Sequence, residues 1–241
     1  MEKVATPGFQ HEGSGRNKLL ETLESATRRR ISPYLQSVSL ELGTVVCQAG
    51  AVLDCAYFPV GSVLSLLTVL ECGSAIETAN IGSEGAFGLF AVLTSCVSFV
   101  RCVIGLQGNM IRCQIDVLRE EVSHSQGIRD ICGLQSESIL DQVQQNMVCN
   151  AQHDTEERLC RWLLTMQDRA GGEALAYPQS FVAGILGENG QSVTLAAQSM
   201  QADGLVNYRR GAIQIADRQG LERASCECYA ILSKRFAIDL L

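Results

Sequence analysis

Residues 179–215 read QSFVAGILGENGQSVTLAAQSMQADGLVNYRRGAIQI, and this stretch decides the fold. Pro178 suits the first position of a helix, so the sequence predicts a short helix over 179–186 that Gly187 ends. A second helix is predicted over 191–202, only four residues later. The pattern therefore indicates two helices joined by a tight glycine turn.

A β-hairpin follows the second helix. Two short β-prone runs, 205–208 and 212–215, flank the turn Arg209-Arg210-Gly211. Helix, tight turn, helix and hairpin is the order of a winged helix-turn-helix. We assign residues 153–241 to such a domain, with a further helix at its C-terminal end.

A long helix is predicted before this domain, over residues 125–152. It has no proline, and its apolar residues recur at helical spacings among polar neighbours. The predicted apolar positions are Ile128, Ile131, Ile139, Val143 and Met147. So narrow a stripe is typical of a dimer seam, although a helix packed on the N-terminal domain is an open alternative.

The N-terminal half has the texture of a β protein. Between Val38 and Val117, short apolar runs alternate with nine glycines, which predicts an antiparallel sandwich or barrel. Short helices are expected over 17–35. We therefore predict an α+β chain with a flexible tail (1–16), an antiparallel β domain (17–124), a dimerisation helix (125–152) and the winged helix-turn-helix (153–241).

Composition excludes several classes of protein. The chain has 241 residues, 46% of them hydrophobic, and a formal net charge of −7, so it is neither disordered nor an indiscriminate polyanion binder. Its longest apolar stretch, Phe87 to Val100, is shorter than a bilayer-spanning helix requires. We expect a soluble, cytoplasmic protein with no membrane partner.

Catalytic and metal-binding motifs are not apparent. The chain has no G-x-S-x-G, P-loop or H-E-x-x-H motif, and no histidine lies in the β region. The 11 cysteines include no C-x-x-C pair, and the three histidines are far apart in sequence. We therefore expect no catalytic residue, no cofactor and no metal, and regard the cysteines as buried, reduced side chains. A cysteine-based redox sensor stays open as an alternative.

The order of these parts resembles the Crp–Fnr superfamily of transcription regulators over roughly residues 17–240. The likeness rests on a set of short motifs: Leu42-Gly43, Gly50, Tyr57-Phe58-Pro59, Gly61, Ser65-Leu66, Gly73, Ile81 to Gly85, Gly88, Ser192 to Ala197, Gly204-Leu205, Tyr208 to Gly211 and Cys226 to Tyr229. The C-terminal motifs are similar to a bacterial subgroup of that superfamily. The resemblance implies that residues 17–124 form an antiparallel β jelly roll of the cyclic-nucleotide-binding type, which serves as a sensor barrel. It also implies a homodimer that binds pseudo-palindromic double-stranded DNA, with RNA polymerase as a further partner.

The resemblance also implies a DNA-binding surface, although its residue types depart from the family pattern. The implied positions are Gln179, Ser180, Asn189, Gly190, Gln191, Ser192, Thr194, Arg209 and Arg210. Family members carry arginines at the start of the recognition helix, whereas residues 188–204 contain no Lys or Arg. We expect Asn189 and Gln191 to read bases, and the wing arginines to bind phosphates.

Charge leaves an alternative to DNA binding. Residues 153–241 carry nine basic and eleven acidic side chains, so phosphate neutralisation is weak. A winged helix kept for protein interaction, with DNA binding weakened or lost, is therefore the second hypothesis.

The ligand pocket of the barrel departs from the family pattern as well. In members that bind cyclic AMP, a Gly-Glu-Leu-Gly stretch and a later Arg-hydroxyl pair hold ribose and phosphate. The matching residues here are Gly85 to Gly88, with Ala86 in place of the Glu, and Arg101-Cys102. Glu84 lies two residues early. With Glu84, Gly85, Ala86 and Arg101 as the candidate effector pocket, cyclic AMP is not the expected signal.

Overall fold

The structure is a computed structural model that describes residues 16–94, 97–170 and 176–238. Nearly all of the predicted tail, 1–15, lies outside these residues. The helices are α1 (Lys18–Thr22), α2 (Ser25–Ile31), α3 (Phe90–Leu93), α4 (Ile115–Val122), α5 (Gln126–Gln152), α6 (Thr155–Arg169), α7 (Gln179–Leu186), α8 (Gly190–Ala202), α9 (Arg218–Ala224) and α10 (Cys228–Ile238). The strands are β1 (Gln36–Leu40), β2 (Val45–Cys47), β3 (Cys55–Pro59), β4 (Val63–Val69), β5 (Ala75–Ile81), β6 (Arg101–Leu106), β7 (Gly108–Gln114), β8 (Ala176–Pro178), β9 (Val206–Arg209) and β10 (Ala212–Ile215).

Two antiparallel sheets form the N-terminal half. One has the order β1-β7-β3 and the other β2-β6-β4-β5. Their shared core contains Phe58, Phe87, Leu64, Ile104 and Met110, all nearly inaccessible to solvent. The predicted α+β class with antiparallel sheets is confirmed.

Two strands of this half were missed by the sequence pattern. β5 carries the polar residues Glu77, Thr78 and Asn80, because it is an edge strand whose polar groups bond helices rather than solvent. β7 runs from Gly108 to Gln114. β5 lacks the regular alternation of apolar and polar residues that predicts a half-buried strand, whereas residues 111–114 of β7 have it.

Helix α5 lies against the edge strand β5 and bonds its backbone through amide side chains. The Asn80 N–H donates to Gln142 Oε1 (3.0 Å), and Asn146 Nδ2 donates to the Thr78 carbonyl (2.8 Å). An edge strand exposes unpaired backbone groups, and these amides satisfy some of them. The inward face of α5 is therefore partly polar.

A sharp break separates α5 from α6. His153 is extended, and Asp154 caps α6: its Oδ1 accepts from the Glu157 N–H (2.9 Å), while Glu157 Oε2 accepts from the Asp154 N–H (3.0 Å). This reciprocal pair is a capping box, which fixes the start of α6. The chain therefore changes direction at residues 153–154.

The C-terminal half packs directly on the outer face of the β4-β6 sheet. Trp162 Nε1 donates to Glu77 Oε1 across the contact (3.1 Å), and the apolar core around Trp162 includes Val63 and Val103 of that sheet. Burial raises the pKa of Glu77, whereas its hydrogen bonds and the nearby arginines act to lower that pKa. The two halves of the chain are therefore packed against each other through both apolar side chains and a hydrogen bond.

Candidate nucleic-acid interface

Helices α7 and α8, joined by a short turn at Gly187, form the helix-turn-helix. Gly187 ends α7 with a left-handed φ of 66°, which favours glycine. In the following turn, Glu188 pairs with the buried Arg158 of α6 (2.7 Å), and Arg158 also donates to the Leu186 carbonyl (2.5 Å). The acidic residue in the turn is therefore neutralised inside the protein and tied to α6.

Gln179 holds the start of α7 against α8 and the wing. Its Nε2 donates to the Gly190 carbonyl and to Thr194 Oγ1 (2.7 Å), and its Oε1 accepts from the Tyr208 hydroxyl (3.4 Å). Sequence reasoning placed Gln179 and Thr194 in the DNA-binding set. The structure shows that their side chains bond each other.

The solvent face of α8 carries side chains without such partners. Asn189 is the N-cap, and its Oδ1 accepts from the Ser192 N–H (2.8 Å). Gln191, Leu195 and Gln198 are exposed along the first two and a half turns of the helix. Gln198 was not among the predicted positions, although its seven-residue spacing from Gln191 places both on one helical face.

The wing is the hairpin of β9 and β10, paired in register from Val206↔Ile215 to Arg209↔Ala212. At its tip, Arg210 has a φ of 52° and Gly211 a φ of 76°, as a two-residue hairpin turn requires. Within the described part of the chain, the side chains of Arg209 and Arg210 make no hydrogen bond or ion pair, and both residues are exposed. The wing tip therefore presents two unpaired guanidinium groups.

Most other cations of the C-terminal domain are used internally. Arg158, Arg169, Arg218, Arg223 and Arg235 all form ion pairs with carboxylates, and Arg161 is buried. Across the described ranges of this domain, Lys234 is the other exposed basic side chain with no such partner. Free positive charge on the helix-turn-helix and wing is therefore concentrated at the wing tip.

The candidate effector residues have partners within the chain, and among the described residues no hydrogen bond or ion pair joins Arg101 to residues 84–86. Glu84 accepts from the Gly82 N–H (2.8 Å) and pairs with Arg169 of α6 (3.1 Å). Arg101 donates to Gln48 Oε1 (2.9 Å).

Next to Glu84, Gly85 and Ala86 meet α5. The Ala86 N–H donates to Gln135 Oε1 (2.7 Å), and a Cβ placed on Gly85 would lie 2.3 Å from that same oxygen. A side chain of α5 therefore occupies the space in front of the segment that the family resemblance assigns to ligand.

The predicted dimer seam divides into two parts. Ile128 and Ile131 are buried in the core of their own subunit, and Ile139 packs partly on it, so these side chains face the β domain within one subunit. The helical period brings these residues to the inward face of α5. In the first half of the helix, the alternative of packing on the β domain holds.

The second half of α5 exposes a different apolar stripe. Leu140, Val143 and Met147 have exposed fractions of 55%, 37% and 68%, at spacings of three and four residues. Such spacing puts them on one face, as in a coiled-coil seam. Val143 and Met147 were predicted positions, and Leu140 was missed.

The expectation that the cysteines do not converge is wrong at one place. Donor atoms of Cys149, His153, Cys226 and Cys228 all lie within 4.8 Å of one another. Sequence separation conceals the convergence, because the break after α5 and the packing of α10 bring together segments more than 70 residues apart.

Across the described ranges, no helix is both long and apolar enough to cross a bilayer.

Comparison with known proteins agrees with this architecture. Residues 157–224 match the family model of the Crp-like helix-turn-helix domain. No curated protein matches the chain in sequence. The chain therefore carries a Crp-like helix-turn-helix domain, and the rest of the comparison rests on structure.

Solved structures show that the fold extends over both halves. A protein from Eubacterium rectale, described as a transcriptional regulator of the Crp/Fnr family, has 17% identity and a TM-score of 0.68, covering 86% of this chain and 96% of that one. FixK2 from Bradyrhizobium japonicum has 16% identity and a TM-score of 0.65, covering 80% of this chain and 98% of its own. The c-di-GMP responsive global regulator CLP of Xanthomonas campestris has the same identity and TM-score, covering 80% of this chain and 100% of its own. This chain has their fold.

Proposed function

We propose that this chain, with its Crp-like helix-turn-helix domain, is a homodimeric DNA-binding transcription regulator whose signal is not cyclic AMP. The observation that carries the proposal is the open face of α8 beside the unpaired guanidinium groups of the wing. A recognition helix enters the major groove with its N-terminal residues on base edges. Gln191 and Leu195 are exposed in the first two turns of α8, and Gln198 is exposed on the same face one turn further along.

The chemistry of these side chains favours A·T base pairs. Gln pairs bidentately with adenine, and an apolar side chain such as Leu195 contacts the thymine methyl group. The side-chain oxygen of Asn189 accepts the N-cap hydrogen bond of α8, so we assign Asn189 a structural role rather than a role in base recognition. Arg209, Arg210 and the exposed Ser180 hydroxyl would bind phosphates and set the register of the domain on the duplex.

Association through α5 completes the proposal. The stripe of Leu140, Val143 and Met147 is apolar and exposed, and pairing with a second copy would bury it. Residues 17–124 would then receive the signal, 125–152 would join the subunits, and 153–241 would bind DNA. Two-fold symmetry would place the recognition helices about one DNA turn apart on a pseudo-palindromic site.

The case against cyclic AMP rests on the filled space near Ala86. Ala86 has no group that accepts from a ribose hydroxyl, its backbone N–H is bonded by Gln135, and it is wholly buried. Arg101 is bonded to Gln48 in another part of the domain, with a thiol beside it where a hydroxyl would be expected.

The test is DNA selection with the purified full chain, followed by titration of the selected site over a range of salt. We compare the double variant Arg209→Ala, Arg210→Ala with Arg28→Ala, Arg29→Ala, which removes two adjacent exposed arginines from α2. A dimer would lose four wing cations in the first variant, which flattens the slope of log K against log salt by about 3.6 units. The α2 variant should keep the original slope.

A second candidate function is protein interaction through the winged helix, and it is favoured by the ion pairs that most basic side chains of this domain form with carboxylates. If selection yields no enriched sequence and binding is absent at low salt, the winged helix serves protein interaction instead. Equal slopes for the two double variants would also remove the wing from the DNA interface.

A further inference from the structure

A cluster of three thiols and one imidazole lies at the joint between α5 and α6. Cys149 is in the last turn of α5, and His153 follows its end. Cys226 and Cys228 come from the segment between α9 and α10, and α10 begins at Cys228. The three cysteines are buried, and the His153 side chain has only 12% of its surface exposed.

The distances in this cluster match those around a single tetrahedral ion. Cys149 Sγ lies 3.6 Å from Cys226 Sγ, and Cys228 Sγ lies 3.6 Å from His153 Nδ1. Zinc–sulfur bonds of about 2.3 Å and zinc–nitrogen bonds of about 2.0 Å give tetrahedral edges of about 3.8 Å between sulfurs and about 3.5 Å between sulfur and nitrogen. Two donor-to-donor distances therefore match the edges of a coordination tetrahedron, and all four donor atoms lie within 4.8 Å of one another.

Neighbouring side chains orient the four groups as outer-shell residues of a metal site do. His153 turns Nδ1 into the cluster, while its Nε2 lies 3.2 Å from a carboxylate oxygen of Glu227. Gln145 Nε2 donates to Cys228 Sγ (3.0 Å). A carboxylate on the far nitrogen fixes the tautomer and orientation of a metal-binding histidine.

The three thiols differ from the other buried cysteines of the chain. Cys132 and Cys160 belong to the two large apolar cores, as small hydrophobic residues do. Cys149, Cys226 and Cys228 form a separate cluster without aliphatic members. Simple apolar packing therefore accounts for the first two cysteines and leaves the convergence of the other three unexplained.

A buried cation, Arg161, interacts electrostatically with Cys149 and Cys226. Arg161 is buried, and its Nε has no hydrogen-bond partner. Three thiolates and a divalent ion carry a net charge of −1, which this guanidinium would balance.

We propose that Cys149 Sγ, His153 Nδ1, Cys226 Sγ and Cys228 Sγ bind one zinc ion in a closed tetrahedral site. Three sulfurs and one nitrogen form a Cys₃His set, which is typical of structural zinc. An iron–sulfur cluster places sulfide-bridged irons between its ligands, so it would need a wider separation than the 4.8 Å limit observed here.

The ion would fasten α10 across the joint between α5 and α6. From the cluster, α10 runs back along α5, where Arg235 binds Asp141 (2.6 Å) and Glu137 (2.5 Å). Zinc at one end and this ion-pair group at the other would hold α10 at both ends. The site would thereby set the position of the winged helix relative to the proposed dimer helix.

Metal content and coordination test the site without any variant. The full-length protein, purified without chelator, should contain about one zinc per subunit, and X-ray absorption at the zinc edge should show three sulfurs near 2.3 Å and one nitrogen. Cobalt exchanged for zinc should give the visible bands of a tetrahedral thiolate site. Metal-free protein that also fails to bind zinc or cobalt, bound iron, or a native Cys149–Cys226 disulfide would each overturn the proposal.

Variants locate the metal. Cys149→Ala should lose the zinc, while the matched control Cys160→Ala, equally buried but in the apolar core, should keep it. Glu227→Gln should weaken zinc affinity about 10-fold through the histidine, measured by competition with a chelator. Zinc retained at full stoichiometry in Cys149→Ala would place the metal elsewhere and contradict the site.

Discussion

The N-terminal β domain fills its own candidate site, whereas the C-terminal domain leaves its candidate surface open. Near Ala86, the space expected for a ligand is taken by Gln135 of α5. On α8 and the wing, Gln191, Leu195 and the two arginines are exposed and have no partner among the described residues. The difference indicates where an external molecule can bind without first displacing part of the protein.

Helix α5 contains the same contrast within one element. In its first half, the apolar residues Ile128 and Ile131 are buried in the core of their own subunit, whereas its second half carries an exposed apolar stripe. An apolar residue in a long helix therefore does not reveal its partner. The inward amides explain how this is possible, since Gln142 and Asn146 hold the second half on β5 without using the apolar side chains.

The largest expected effect comes from the buried half. Ile131→Ala removes most of a side chain that is 2% exposed, so we expect a loss of about 2–5 kcal/mol in the free energy of unfolding. Leu134→Ala, on the exposed side of the same half, should cost less than about 0.5 kcal/mol. Urea denaturation measures both, and similar losses would mean that the two faces are not distinct.

Substitutions in the exposed apolar stripe of α5 should weaken the dimer rather than lower the stability of the fold. Met147→Arg places a charge in the proposed seam, and we expect the dimer to weaken by about 2 kcal/mol, or roughly 30-fold in dissociation constant. Leu134→Arg is the matched control, since Leu134 is exposed on another face of α5. Analytical ultracentrifugation gives the constants. An unchanged dimer in Met147→Arg would exclude this stripe as the seam.

The open surface of α8 can be made more favourable for DNA. A Cβ on Gly190 would meet only Gln179 Nε2 at 3.4 Å, so Gly190→Arg fits without strain. An arginine there can reach a guanine edge, and we expect about 10-fold tighter binding to sites that carry guanine at that position. Gly61→Arg adds the same charge in open space on the β domain and should bind as the parent does, as measured by fluorescence anisotropy.

The smallest expected effect is none at all. Millimolar cyclic AMP should leave the melting temperature unchanged, because a ligand stabilises a protein only by binding its folded state. A rise in melting temperature that grows with the concentration of cyclic AMP would show that Gln135 moves aside and that the pocket is usable.

The sequence predicts elements better than it predicts contacts between them. The helix-turn-helix and wing could be recognised because glycine and proline mark each boundary within 40 residues. The burial of Ile128 could not be predicted, because the sequence does not show which face of α5 packs on the β domain. That orientation depends on contacts such as the hydrogen bond from the Asn80 N–H of β5 to Gln142, and β5 itself was not predicted. The thiol cluster was missed for a similar reason, since Cys149 and Cys226 meet only through the break at His153.

The bond network of Gln179 has a consequence for how such regulators diverge. The Gln179 amide fixes α7 to α8 and to Tyr208 of the wing. The packing of the two helices and the wing is therefore independent of the side chains on the solvent face of α8. Gln191, Leu195 and Gln198 can then be exchanged during evolution without disturbing the scaffold. Under the proposed function, single substitutions at those three positions would change the preferred operator, while Gln179 would be retained for its structural role.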